Sequence, residues 1–330
     1  MDFQSIALPT ELRRRPAKGS SFSICASSFS QGGLAGFLVY ESYRGRNAMQ
    51  VSGITRPIVY AGPCVAESLD LLEAVVAPLV KLSGELDFDL TFKASFDKAN
   101  RTSVDSYRGP GLEQAKKWFE IIKNKYGVPV LTDIHESYHA AACADVVDVL
   151  QIPAFLCRQT DLLVAACETG RMVNIKKGQM VAPSAMLNAV EKAKTACAKK
   201  NLPLRVALTE RGASFGYGNL VVDMRSFPLM AEAGVPVIFD ITHSTQLPAG
   251  GEGGRVSGGD RRFAPVLARS ATATGYLDGY FLEVHADPSK AKSDKAVQLS
   301  IPQAETLLRQ IIPFWREARA FSAQDKIYCD

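Results

Sequence analysis

No run of about 18 apolar residues occurs along the 330-residue chain, so no membrane-spanning helix is expected. Charge of one sign is also scarce. The net charge is +4, and the basic residues are scattered rather than gathered in a stripe, which argues against a nucleic-acid-binding face. The cysteines Cys25, Cys64, Cys143, Cys157, Cys167, Cys197 and Cys329 are odd in number and irregular in spacing. That excludes the disulfide framework of a small secreted domain and fits reduced thiols in a cytoplasm.

What is present divides into two parts. Residues 1–50 are rich in Ser, Arg and Gly. Arg13–Arg15 and the Ser-rich stretch after Gly19 resemble an organelle transit peptide, but a loosely attached extension is the reading taken. The apolar patch Leu34–Tyr40 is too short for a signal peptide and is read as a short strand. Residues 51–330 are read as one catalytic domain. From Ile58 onward, β-rich runs alternate with amphipathic ones. The strands expected are Ile58–Ala61, Leu90–Ala94, Val130–Ile134, Val147–Gln151, Met172–Lys176, Arg205–Thr209, Val235–Ile241 and Gly279–Val284. Helices such as Ser68–Leu82, Gly111–Tyr126, Gln159–Thr169 and Ser184–Ala198 lie between them, and Pro302–Phe321 follows the last. Strand–helix alternation implies a parallel sheet, and eight repeats imply a closed α/β (β/α)₈ TIM barrel. The competing open doubly wound sheet lacks support, because no Gly-rich dinucleotide fingerprint follows the first strand.

A barrel builds its site at the carboxyl ends of its strands. Here those ends read Ala61-Gly62-Pro63-Cys64; Lys93 with Lys98 and Asn100-Arg101; Asp133-Ile134-His135; Gln151; Asn174-Ile175-Lys176; Glu210-Arg211; Asp240-Ile241-Thr242-His243; and Glu283-Val284-His285. Period-two alternation puts Asn174 with Lys176, Glu283 with His285, and Asp133 with His135 on shared faces pointing into the barrel mouth. Any one such residue is more often solvated or simply hydrogen-bonded. Polar groups at eight successive strand ends are harder to explain without function. Lys93, Lys98, Lys176 and Arg211 make a cationic mouth suited to phosphate and carboxylate groups. Cys64, His243, Glu283 and a later acid, with Asp294 the best candidate, offer a mixed thiolate, imidazole and carboxylate set for Zn²⁺, Fe²⁺ or Mn²⁺. Their spacing is no recognised zinc signature, so a metal site and a metal-free polar cluster both remain open on chemistry alone.

Four longer segments go further. Phe92-Lys93-Ala94-Ser95-Phe96-Asp97-Lys98-Ala99-Asn100-Arg101, Tyr107-Arg108-Gly109-Pro110-Gly111, Gln151 to Asp161 (QIPAFLCRQTD) and Arg211 to Tyr217 (RGASFGY) resemble the signatures of 3-deoxy-D-manno-octulosonate 8-phosphate synthases. The resemblance runs from about Ile58 to about Leu299. It implies a cytoplasmic homotetramer of barrels that joins phosphoenolpyruvate to D-arabinose 5-phosphate, consuming water and releasing phosphate, in the synthesis of the lipopolysaccharide inner core. It implies that Lys93, Lys98, Lys176 and Arg211 hold phosphoenolpyruvate, with Gln151 and Ala154 lining its pocket. It also implies that Asn100 and Arg101 bind the phosphosugar, Arg101 reaching its phosphate in a neighbouring subunit's site. Thr102 stands where the family often has Ser and keeps the hydroxyl. Cys64 replaces the Asn of metal-independent relatives, which implies the metal-dependent branch with Cys64, His243, Glu283 and Asp294 as ligands. The Gly-rich loop Pro248–Asp260 resembles the family's mobile loop over the site. His135 and Asp133 are the candidates for the base that takes the water's proton. Two alternatives stand beside this reading: a 3-deoxy-heptulosonate 7-phosphate synthase, disfavoured because Lys-Ala-Asn-Arg stands at Lys98–Arg101 in place of Lys-Pro-Arg-Thr, and a non-catalytic phosphosugar-binding barrel.

Overall fold

A computed structural model describes residues 53–101, 103–247, 250 and 258–322. The N-terminal segment 1–52, with the strand expected at Leu34–Tyr40, lies outside the described residues, as do Thr102 and most of the loop 248–260.

The described chain alternates β1 (Ile58–Gly62), α1 (Leu69–Leu86), β2 (Asp89–Lys93), α2 (Leu112–Tyr126), β3 (Val130–Asp133), α3 (Ser137–Cys143), β4 (Val149–Ile152), α4 (Thr160–Glu168), β5 (Met172–Lys176), α5 (Met186–Lys199), β6 (Val206–Glu210), α6 (Ser226–Ala231), β7 (Val237–Asp240), α7 (Ala264–Ala273), β8 (Gly279–His285) and α8 (Ile301–Ser322). Each strand pairs in parallel with its successor, and β8 pairs back onto β1 with Ile58 opposite Gly279 and Gly62 opposite Glu283. The sheet is therefore a closed eight-stranded (β/α)₈ barrel, and the open-sheet alternative is excluded.

Alternation along the strands builds two cores. Tyr60, Leu131, Val149, Ala207, Ile238 and Phe281 point inward and pack together as the floor of the barrel. Their neighbours Val59, Leu150, Val173, Leu208, Phe239 and Leu282 point outward into the larger core shared with the helices. Helix α1 shows how the outer layer is made. Ser68 caps it by accepting a hydrogen bond from Leu71 N at 3.2 Å. Leu72, Val75, Val76, Leu79 and Leu82 then recur at helical spacing and bury one face.

The barrel strands fall where alternation places them, with ends shifted by one or two residues. Val147 is the clearest shift. Its N–H bonds the Cys143 carbonyl at the end of α3, so the strand starts only at Val149. The short helices α3 and α6 have seven and six residues, too few for a period to declare itself.

Candidate active site

The inward positions above the apolar floor are polar. Asn174 donates to Gln151 Oε1 at 3.0 Å and accepts from Thr209 Oγ1 at 2.6 Å, forming a buried amide–hydroxyl layer. Gln151 thus belongs to a hydrogen-bonded shelf under the mouth. Ala154 begins the short turn Ala154–Leu156 that follows β4.

The next layer carries the charges. Lys93 is almost fully buried and donates to Glu283 Oε1 at 2.6 Å and to the Cys64 carbonyl at 2.8 Å. Lys176 forms a buried ion pair with Asp240, and its ammonium lies 3.3 Å from the centre of the Phe281 ring. Lys98 donates to Ser95 Oγ at 2.7 Å. Asp133 Oδ2 lies 3.0 Å from His135 Nε2. Arg211 is buried, with Nη2 donating to Gln246 Oε1 at 2.6 Å and Nη1 left without a partner among the described residues. Asp133 Oδ1, His135 Nδ1 and Glu283 Oε2 are likewise buried and unpartnered there. Such orphaned groups are costly inside a protein unless something else meets them.

Burial and neighbouring charge set the protonation states. Burial raises Glu283, but Lys93 and His243 outweigh it and hold the carboxyl at about 2. Burial opposes ionisation of Asp133 and Asp240 as well. Lys98 and His135 hold Asp133 well below the usual carboxylate range, and His243 and Lys176 do the same for Asp240. Burial pushes Lys176 down to about 8, against the pull of Asp240. The Cys64 thiol is pushed well up, first by burial and then by Asp294 and Glu283.

The four residues expected as metal ligands come together. Cys64 Sγ, Asp294 and Glu283 offer ligand atoms within 4.8 Å of one another. His243 Nε2 lies 3.5 Å from Glu283 Oε1 and 3.8 Å from Asp294 Oδ2. The two His243 separations fall within the about 3.3–3.8 Å between ligand atoms of a tetrahedral ion with bonds of about 2.0–2.3 Å. Local backbone features deliver each ligand. A Cβ at Gly62 would lie 2.1 Å from the Lys93 carbonyl oxygen, so only glycine lets β1 run close to β2 and carry Cys64 to the rim. Asp294 takes a left-handed backbone, φ 48°, which Asp tolerates and which turns the loop after β8. Gln298 joins the two, accepting from Cys64 N at 3.2 Å and donating to the Ser293 carbonyl at 2.7 Å. His243 Nδ1 lies 2.8 Å from Asp240 Oδ2, which leaves Nε2 facing the carboxylates.

Among the expected phosphosugar residues, Asn100 is exposed and Thr102 is outside the described residues. Arg101 spans two loops: it donates to the Tyr107 carbonyl at 2.7 Å, to Ser293 Oγ at 2.8 Å and to the Lys292 carbonyl at 3.1 Å. Its position is therefore tied to the loop that carries Asp294. Three site neighbours carry no local sequence signal for their part in it: Asp240, Gln246 and Gln298. Asp240 stood among the charged strand ends, but nothing in the sequence pairs it with Lys176.

Residues 46–314 match the model of the DAHP synthetase I family. The chain belongs to the DAHP synthetase I family. Its curated relatives include proteins named 2-dehydro-3-deoxyphosphooctonate aldolase. The one from Cyanothece sp. is 52% identical over 251 residues, 76% of this chain and 89% of that protein. The one from Helicobacter pylori is 51% identical over 265 residues, 78% and 95% of the two chains. The one from Nitratidesulfovibrio vulgaris is 50% identical over 269 residues, 82% and 96%.

Proposed function

We propose that this chain is a 3-deoxy-D-manno-octulosonate 8-phosphate synthase, condensing phosphoenolpyruvate with D-arabinose 5-phosphate and water and releasing phosphate. The names of relatives at about half identity over most of the chain support the reaction. The observation that carries it structurally is the pairing of a buried cationic mouth with unpartnered atoms on Arg211, Asp133, His135 and Glu283.

Phosphoenolpyruvate enters with its phosphate and carboxylate toward Lys93, Lys98, Lys176 and Arg211. The free Arg211 Nη1 meets one of its oxygens, and desolvation makes each such contact strong. Asn100, Arg101 and Thr102 receive the phosphosugar. C3 of the enol attacks the aldehyde carbon, and positive character develops at C2. Water adds there, and the hemiketal phosphate expels phosphate. His135 Nδ1 is unpartnered and its ring is held by ionised Asp133, so this pair is placed to take the water's proton. Cys64, His243, Glu283 and Asp294 would hold a divalent ion, Zn²⁺, Fe²⁺ or Mn²⁺. Their donor chemistry, their spacing and the orphaned Glu283 Oε2 fit one. When bound, the ion supplies Lewis acidity to this end of the site.

Self-association into a tetramer and a cytoplasmic location belong to the same proposal. Exposed Phe155, Met180, Phe215 and Tyr217, on loops following β4, β5 and β6, support self-association. Among the described residues no helix is long and apolar enough to cross a membrane. The aldehyde choice is tested by comparing kcat/KM for arabinose 5-phosphate and erythrose 4-phosphate. Preference for the five-carbon sugar is expected. Preference for the four-carbon sugar would assign a heptulosonate synthase instead.

A further inference from the structure

We infer that Gln246 is a positioning residue that joins the phosphoenolpyruvate-binding Arg211 to the metal-ligand candidate Asp294; the inference rests on the functional reading above. Its carboxamide lies between the two, with Oε1 accepting from Arg211 Nη2 at 2.6 Å and Nε2 donating to Asp294 Oδ1 at 2.9 Å. Only this orientation of the amide works. Turned over, it would set an NH₂ against a guanidinium and an oxygen against a carboxylate.

Each bond has a consequence for the atom at the other end of its partner. Arg211 is anchored through Nη2, and Nη1 is the one left without a partner among the described residues. Asp294 is anchored through Oδ1, while Oδ2 is the oxygen 3.1 Å from Cys64 Sγ and 3.8 Å from His243 Nε2. Gln246 thus fixes which nitrogen of the guanidinium is available to an anion and which oxygen of the carboxylate is available to a cation. Its own backbone is held firmly for the task. It follows the single turn His243–Thr245, and it pairs antiparallel with Gly259. A Cβ at position 259 would lie 2.3 Å from Val297 Cγ1 and 2.9 Å from the Thr245 carbonyl oxygen, so this pairing requires glycine. The neutral amide suits the role, because it satisfies a cation and an anion at once without adding charge to either.

The test uses the full chain and five proteins: wild type, Gln246→Met, Gln246→Glu, Arg211→Ala, and Gln246→Met combined with Arg211→Ala. Methionine keeps the volume and loses both bonds, whereas glutamate keeps an acceptor for Arg211. Gln246→Met is expected to raise KM for phosphoenolpyruvate by about tenfold or more, the usual consequence of losing a hydrogen bond to a charged group. KM for arabinose 5-phosphate should stay within about twofold, since the lost contact is on the other substrate. Gln246→Glu should bring KM for phosphoenolpyruvate back toward wild type. In the Arg211→Ala background, Gln246→Met should add little, because the two residues act as one unit. Zn²⁺ affinity, measured by competition with a chromophoric chelator, should fall about tenfold in Gln246→Met. Additive effects of the two substitutions, or equal changes in both KM values, would overturn the Arg211 link. Equal Zn²⁺ affinity in wild type and Gln246→Met would overturn the Asp294 link alone. Wild-type protein that binds no Zn²⁺, Mn²⁺ or Fe²⁺ would sink the metal assignment itself and the Asp294 link with it.

Discussion

Replacing Asp240 by Asn tests the electrostatic design of the mouth. The change keeps the shape and removes the charge that pairs with Lys176 and faces His243 Nδ1. Lys176 is buried, and its ammonium is already pushed down to about 8 despite Asp240. From an ordinary value of 10.5 to about 8, the penalty is about 3 kcal/mol. The sign follows from proton counting. Below pH 8 the lysine is charged in both folded and unfolded chains, and the penalty is fully felt. Between pH 8 and 10.5 the unfolded chain holds more protons, so stability rises with pH. Without Asp240, Lys176 should lose its proton at a still lower pH, and the folded state then avoids an unpaired buried charge that would cost about 3–5 kcal/mol. Binding suffers in the opposite direction, because a neutral Lys176 no longer attracts phosphoenolpyruvate. The assay is kcat/KM for phosphoenolpyruvate against pH, which reports groups of the free enzyme. The wild type should fall along an alkaline limb near pH 8, and the limb should move to lower pH in Asp240→Asn. An alkaline limb that stays in place would refute the claim that Asp240 keeps Lys176 charged.

Cys64→Ala should lose metal and turnover while staying folded, since a thiol-sized cavity costs little, as metal analysis and circular dichroism would show. Cys64→Asn should keep measurable activity with less sensitivity to chelators; full activity with bound metal would contradict the thiolate-ligand assignment. Arg211→Ala should raise KM for phosphoenolpyruvate and lower kcat at a combined cost of about 2–5 kcal/mol, because it removes a charge from a desolvated anion site. A chain starting at Met49 should retain turnover and thermal stability, because the first barrel strand begins only at Ile58.

The barrel was legible because its signal is periodic. Alternation on β5 separates Asn174 and Lys176 from Val173 and Ile175, and the structure puts these sets on opposite faces. The charged strand ends were legible for the same reason. The pairings between them were not. Asp240 meets Lys176 across 64 residues, and Gln298 meets Cys64 across 234. Closure of the barrel creates those contacts, and no local pattern encodes them. Gln246 and Gln298 were missed because a neutral amide in an aperiodic loop gives no chemical signature until its partners are in place. Asp294 was found from its place after β8, but its left-handed backbone, which sets its direction, is visible only in the fold.

Phosphate release from phosphoenolpyruvate by the purified full chain decides whether it is this synthase. One phosphate should be released per phosphoenolpyruvate and per arabinose 5-phosphate consumed, with an eight-carbon phosphorylated keto acid accumulating in step. Phosphate released at the same rate without the aldehyde, or both substrates bound with no phosphate released, would contradict it.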